Sequence, residues 1–194
     1  KKVIFSTGMS SLSEVNRTYS FLNKRKKLAI PMYCVSSYPT SLNEIDIEIL
    51  RKIKKRYKLF GFSDHTLSSE SSILATYFGC KFIEKHITLN RSFKGPDHKA
   101  SLVENELKSL VKKIRSVEIS LGSGEKKPTD SEKKNIPIAR NSLVANKKIK
   151  KGEKFTKQNI TVKRPGTGIS PMLINKVLGK YAKKNFSYDD IIKI

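Results

Sequence analysis

Two histidines stand at equivalent points of a repeating pattern: His65 in Gly61-Phe62-Ser63-Asp64-His65-Thr66, and His86 in Ile83-Glu84-Lys85-His86-Ile87-Thr88. A neutral imidazole is a good ligand for a divalent first-row metal, and two facing one pocket can share an ion with substrate oxygens and water. Taken singly, each histidine reads as a hydrogen-bonded structural residue; as a pair on neighbouring strands, metal and structural readings stand level. Hydroxyls cluster at the same points of the pattern, in Ser6-Thr7-Gly8, Ser36-Ser37-Tyr38-Pro39 and at Ser63. Such serines, with loop amides and helix N-termini, suit a phosphate or carboxylate. Asp97, in Gly95-Pro96-Asp97-His98-Lys99-Ala100-Ser101, reads either as an acid for substrate hydroxyls or as a turn residue before a helix cap. The pair Lys163-Arg164, ahead of Pro165-Gly166, reads as solvated surface or as a contact for an anionic or hydroxylated ligand.

These residues need elements to position them. Strand-like apolar runs at residues 3–5, 28–35, 59–62 and 81–86 each lead into a polar loop and then an amphipathic helix. Runs that are apolar on both faces of the pleat belong to buried parallel strands. Ser11-Leu12-Ser13-Glu14, Ser41-Leu42-Asn43-Glu44 and Ser101-Leu102-Val103-Glu104 repeat the capping-box pattern that starts a helix. In the second helix Ile45, Ile49, Leu50 and Ile53 share one face. Alternating strands and helices require parallel strands joined by right-handed crossovers. Four units make either an open sheet or half of an eight-stranded barrel, and in a barrel the active site lies at the C-terminal strand ends. All the polar clusters named above fall there.

The Gly/Pro/charge-rich stretch 122–139 reads as a linker between a βα region, 1–121, and a small loop-rich β domain, 140–194. Hydrophobic residues at 37% exclude a disordered tail. No apolar run approaches the ~20 residues that span a bilayer. Residues 1–6 enter a strand without the apolar core of a signal peptide, which leads us to expect that upstream sequence is missing. Cys34 and Cys80, both in apolar runs, read as reduced core thiols of a cytoplasmic protein. A net charge of +23 raises nucleic acid or an anionic membrane as partners. The lysines, however, run as dispersed doublets without interleaved aromatics, so we expect neither a specific nucleic acid nor a membrane partner. A non-catalytic carbohydrate-binding module is the other rival class.

Together, Ser6-Thr7-Gly8-Met9, Cys34 to Pro39, Gly61 to Thr66, Ile83 to His86, Gly95 to Ser101 and Lys163 to Gly166 resemble, in order, the N-acetylneuraminate (sialic acid) synthase family. The resemblance implies the second half, four βα units, of a TIM-type (β/α)8 barrel followed by an antifreeze-like (SAF) β-rich domain. It implies a transferase that condenses phosphoenolpyruvate with N-acetylmannosamine or a related 2-acetamido sugar, using a divalent metal, Mn2+ or else Mg2+ or Co2+. His65 and His86 match the metal ligands, and Asp97 an acid near metal and sugar. Ser6, Ser36 and Ser63 match substrate-binding positions, and Tyr38 a tyrosine lining the pocket. Arg164 matches an arginine that reaches the partner's sugar in a domain-swapped homodimer. His98-Lys99-Ala100-Ser101 after Gly-Pro-Asp favours the sialic or legionaminic branch over pseudaminic acid synthases. The lysines and glutamate that the family carries on its first four strands have no counterpart here, which leads us to expect a fragment inactive by itself.

Overall fold

A computed structural model describes residues 1–194, which form two compact units, Lys1–Gly124 and Glu125–Ile194. In the first unit four strands, β1 (Lys2–Ser6), β2 (Leu28–Tyr33), β3 (Gly61–Asp64) and β4 (Phe82–Lys85), alternate with helices α1 (Leu12–Lys24), α2 (Ile49–Arg56), α3 (Glu70–Phe78) and α4 (Glu104–Ser120). The strands lie in chain order β1-β2-β3-β4, each pair parallel. An order that never reverses has one winding sense, that of a barrel wall rather than a doubly wound sheet.

Alternation along the strands assigns the two faces. Phe5, Tyr33, Phe62 and Ile83 pack with Val15 of α1, Leu50 and Ile53 of α2, and Ala75 and Phe78 of α3 in one core. Burying each large apolar side chain of this kind contributes about 1.5–3 kcal/mol. Successive strand side chains point oppositely, so Ile4, Ser6, Gly61, Ser63 and Glu84 look away from the helices. There Ile4 keeps 53% of its surface exposed. The sheet is therefore helix-covered on one face, while the other is open at Ile4 and buries Ile30, Met32 and Ser63 further along.

Local chemistry explains where the helices start. At α1 the Ser11 amide donates to the Glu14 carboxylate at 2.8 Å and Glu14 returns its own amide to the Ser11 hydroxyl. The Ser11 hydroxyl, which donates to the same carboxylate at 2.7 Å, and the Ser11 amide hold the Glu14 carboxyl below its usual range. The other two Ser-x-x-Glu patterns behave differently from the sequence expectation. Ser41 opens only a single 3-10 turn, Leu42–Glu44, and α2 begins at Ile49, so Ile45 reaches the core from outside the helix. At α4 the cap is Val103, whose amide donates to Glu106 at 3.0 Å, while the Ser101 hydroxyl turns back to the Asp97 carbonyl at 2.7 Å.

The stretch 122–139 also departs from a plain linker: α5 occupies Asp130–Ala139. Thr129 and Glu132 form a reciprocal capping box there, strong enough to start a helix that holds Pro137. The second unit then pairs β5 (Ser142–Ala145) with β6 (Ile160–Lys163) antiparallel, followed by the short α6 (Ile174–Val177). Its core gathers Leu143, Ile149, Phe155, Ile160, Val177, Phe186 and Ile192. No helix in the protein is long and apolar enough to cross a membrane.

Candidate active site

The parallel ladder between β3 and β4 sets Ser63 opposite Glu84 and Asp64 opposite Lys85. Ser63 and Asp64 therefore lie inside β3, two residues later than the sequence had ended the strand, because their polar groups find partners across the ladder. Ser63 Oγ donates to Glu84 Oε1 at 2.6 Å and lies 3.2 Å from His65 Nε2. Asp64 and Lys85 point the other way, among the helices. Just past the strand ends, His65 and His86 approach with ring centroids 5.5 Å apart and planes at 89°.

The His65 ring is oriented by its other nitrogen, since Nδ1 lies 2.8 Å from the Val35 carbonyl. A carbonyl only accepts, so Nδ1 carries the proton of that contact, and Nε2 is the nitrogen turned toward Ser63. Tyr38 walls the pair: its ring centroid is 4.3 Å from His65 and 5.5 Å from His86. Asp97 approaches from the loop after β4, its Oδ2 3.8 Å from His86 Nδ1. That loop is closed at its base, where the Leu102 amide donates to the His86 carbonyl at 2.9 Å and the Thr88 amide to the Leu102 carbonyl at 2.8 Å.

Ser6 and Ser36 occupy the neighbouring part of the same rim. Ser6 Oγ lies 3.0 Å from Cys34 Sγ. Ser36 packs so closely on Gly8 that a Cβ there would come within 2.0 Å of its Oγ. The structure thus brings Tyr38, Ser63, His65, His86 and Asp97 into one cluster, with Ser6 beside it at the end of β1 and Ser36 in the loop after β2. Arg164 stands exposed in the second unit, directly after β6.

Asp64, Glu84 and Lys85 also belong to this neighbourhood, and sequence reasoning gives them no role. The signal for them is present once Ser63-Asp64-His65 is aligned with Glu84-Lys85-His86 on the histidines. Opposite charges then precede the two imidazoles, and a hydroxyl faces a carboxylate, as the ladder register shows.

Two imidazoles with a nearby carboxylate are a donor set that fits a divalent first-row ion. No three of the His, Cys, Asp and Glu side chains converge tightly enough to hold an ion by themselves, so most of any coordination shell falls to other oxygens.

One-way winding, polar clusters along the C-terminal rim and a separate small β unit define a barrel-type protein with an appended domain. The chain belongs to the NeuB family, which it matches over residues 1–126, and residues 140–194 match the SAF domain. It is 44% identical to the N,N'-diacetyllegionaminic acid synthase of Campylobacter jejuni, over 100% of this chain and 59% of that protein. The pseudaminic acid synthase of the same organism is 32% identical, over 100% of this chain and 57% of that one. The crystal structure of the N-acetylneuraminic acid synthetase of Leptospira borgpetersenii superposes with a TM-score of 0.63 at 35% identity, covering 69% of this chain and 47% of that one. The chain spans less than two thirds of these relatives, matching their C-terminal part. The four-stranded sheet is accordingly half of a barrel.

Proposed function

We propose that these residues form the C-terminal part of a synthase that joins phosphoenolpyruvate to an open-chain 2-acetamido sugar, giving a nonulosonic acid and phosphate. The observation that carries this reading is the cluster of His65, His86 and Tyr38 on the open face of the sheet, beside the hydroxyl of Ser63. Among the branches of the family, the 44% identity to a diacetyllegionaminic acid synthase, against 32% for a pseudaminic one, favours a legionaminic- or sialic-type sugar.

In this reading Ser6 and Ser63 bind the phosphate, with Ser36 alongside, and the positive field of a chain carrying +23 draws in the anionic substrate. His65 and His86 hold a divalent ion, Mn2+ in the first instance, with Asp97 near it. When bound, such an ion supplies Lewis-acid polarisation of the sugar's aldehyde oxygen. Tyr38 closes the wall behind the imidazoles and orients the substrates. Holding both substrates on one rim makes carbon–carbon bond formation effectively unimolecular. The enol carbon of phosphoenolpyruvate attacks the aldehyde carbon, water adds to the carbon that bore the phosphate, and phosphate leaves. Serine hydroxyls at the phosphate stabilise the charge that develops there. Arg164 contacts the N-acetyl group of sugar bound in a second copy, within a swapped homodimer. The buried free thiols of Cys34 and Cys80 and the small phosphorylated substrate support a cytoplasmic setting.

The decisive experiment joins the chain behind the first four βα units of the Campylobacter jejuni legionaminic acid synthase. The fusion is supplied with phosphoenolpyruvate, Mn2+ and either N-acetylmannosamine or its 4-acetamido-6-deoxy analogue. Nonulosonic acid identified by mass spectrometry, with stoichiometric phosphate, is expected from the fusion and not from the chain alone. A folded fusion that binds phosphoenolpyruvate and converts neither sugar would refute the reading.

A further inference from the structure

Beneath the histidine pair, on the helix side of the sheet, lies an ion pair with no part in the chemistry above. Lys85 Nζ is 3.0 Å from Asp64 Oδ2, and the two side chains are 4% and 0% exposed. Every polar position of the pair is used. Asp64 Oδ1 accepts from the Thr66 amide at 2.9 Å and the Thr66 hydroxyl at 2.8 Å, and Oδ2 accepts from the Ser72 hydroxyl at 2.6 Å. Besides the carboxylate, the ammonium donates to the Thr66 carbonyl at 2.6 Å and the Ser68 carbonyl at 3.0 Å.

A buried ion pair is a poor device for stability, because desolvation cancels most of the Coulomb gain and apolar replacements of similar volume do as well or better. What this one does is geometric. One ammonium binds the residue before His65, the carbonyl of the residue after it, and the carbonyl two residues further on. It belongs to the residue immediately before His86. Both histidines thus leave their strands from backbone that a single buried charge holds, while their side chains project from the opposite face. The His65 ring needs this precision, because its Nδ1 must meet the Val35 carbonyl, which belongs to a different βα unit.

We propose that Asp64 and Lys85 are positioning residues that set the tautomer and spacing of the His65–His86 pair. The proposal rests on the metal-holding role given to that pair only where an ion is used as the probe. Its first test uses none.

The paired variant Asp64→Leu/Lys85→Met replaces the ion pair by apolar groups and is expected to fold cooperatively, which circular dichroism and urea denaturation check. In the 194-residue chain labelled with 15N-histidine, long-range imidazole NMR reads the tautomer directly. Wild type should show His65 as the Nδ1–H form; the folded paired variant should show both tautomers in exchange. Titrated with Co2+ alone, the folded variant should bind about 10–100-fold more weakly than wild type, the usual cost of losing an outer-shell support. An unchanged His65 tautomer in the folded paired variant overturns the proposal. If wild type and His65→Ala prove equally unable to bind Co2+, the metal role fails instead, and the tautomer measurement still decides the positioning role. Should the paired variant not fold, Lys85→Met with Asp64→Asn, which keeps a hydrogen-bonding side chain for Thr66 and Ser72, takes its place with the same readouts.

Discussion

The ring of Tyr38 lies 4.3 Å from the imidazole of His65, tilted by 35°, and also reaches His86 at 5.5 Å. One aromatic wall therefore touches both histidines, and its contact is made by the ring rather than by a hydroxyl hydrogen bond. Tyr38→Phe should keep Co2+ affinity within about a factor of two, whereas Tyr38→Ala should weaken it about tenfold by freeing both rings. Isothermal titration of the chain with Co2+ separates the two, and equal affinities for all three proteins would count against the wall.

The three histidines of the chain divide by geometry. His65 and His86 face one another, while His98 bonds Thr88 Oγ1 at 2.8 Å and stacks its edge on Phe93. His65→Ala and His86→Ala should each lower Co2+ affinity by about a hundredfold or more, beyond the cost of an outer-shell loss. His98→Ala should leave it nearly intact. The visible absorption of bound Co2+ reports all three variants, and a loss confined to His98→Ala would reverse the assignment.

Gly61 sits where β2, β3 and β4 meet on the open face. A Cβ there would come within 2.3 Å of Met32 Sδ and 2.7 Å of the Phe82 carbonyl oxygen, and backbone cannot yield as a side chain does. Gly61→Ala should therefore destabilise the first unit by about 1–3 kcal/mol through overpacking. The urea midpoint measures it, and an unchanged midpoint would show that the strands can spread.

Burial pushes the Cys80 thiol up from 9.0 to about 12. Folded, the group keeps its proton between those values, whereas the unfolded chain releases it from about 9 upward. The unfolded state then binds fewer protons, so stability falls as pH rises through 9 to 12, and below 9 this group contributes no pH dependence. Cys80→Ala should flatten that alkaline decline in a pH series of thermal melts. At pH 8 iodoacetamide should modify Cys80 in the native protein far more slowly than in urea.

Much of the fold could be read from local pattern. The four strand–helix units, the rim position of Ser6, Ser36 and His65, and the change of character near residue 140 all follow from apolar runs, capping residues and turn chemistry within a few positions of one another. The places where the structure differs from the pattern are equally local. Ser41 and Ser101 carry the right spacing for a helix start, yet Ser41 leads only a single turn and Ser101 is drawn back to the Asp97 carbonyl. Thr129 caps a helix inside a stretch whose glycines and lysines resemble a linker. A capping motif competes with whatever else its hydroxyl can reach, and that depends on chain folded from elsewhere.

By itself the sequence determined that Ser6, Ser36, His65 and His86 would stand at or just past the ends of parallel strands, because each follows an apolar strand run in an alternating strand–helix pattern. Only the tertiary structure decided that Ser63 would face Glu84, that Asp64 would bury its charge against Lys85, and that Tyr38 would lie against both histidines. The register between β3 and β4 is set by the packing of α3, the helix that joins them, against the sheet. A shift of one residue would send His65 and Asp64 to each other's faces. That choice is made by non-local contacts, which no window along the chain contains.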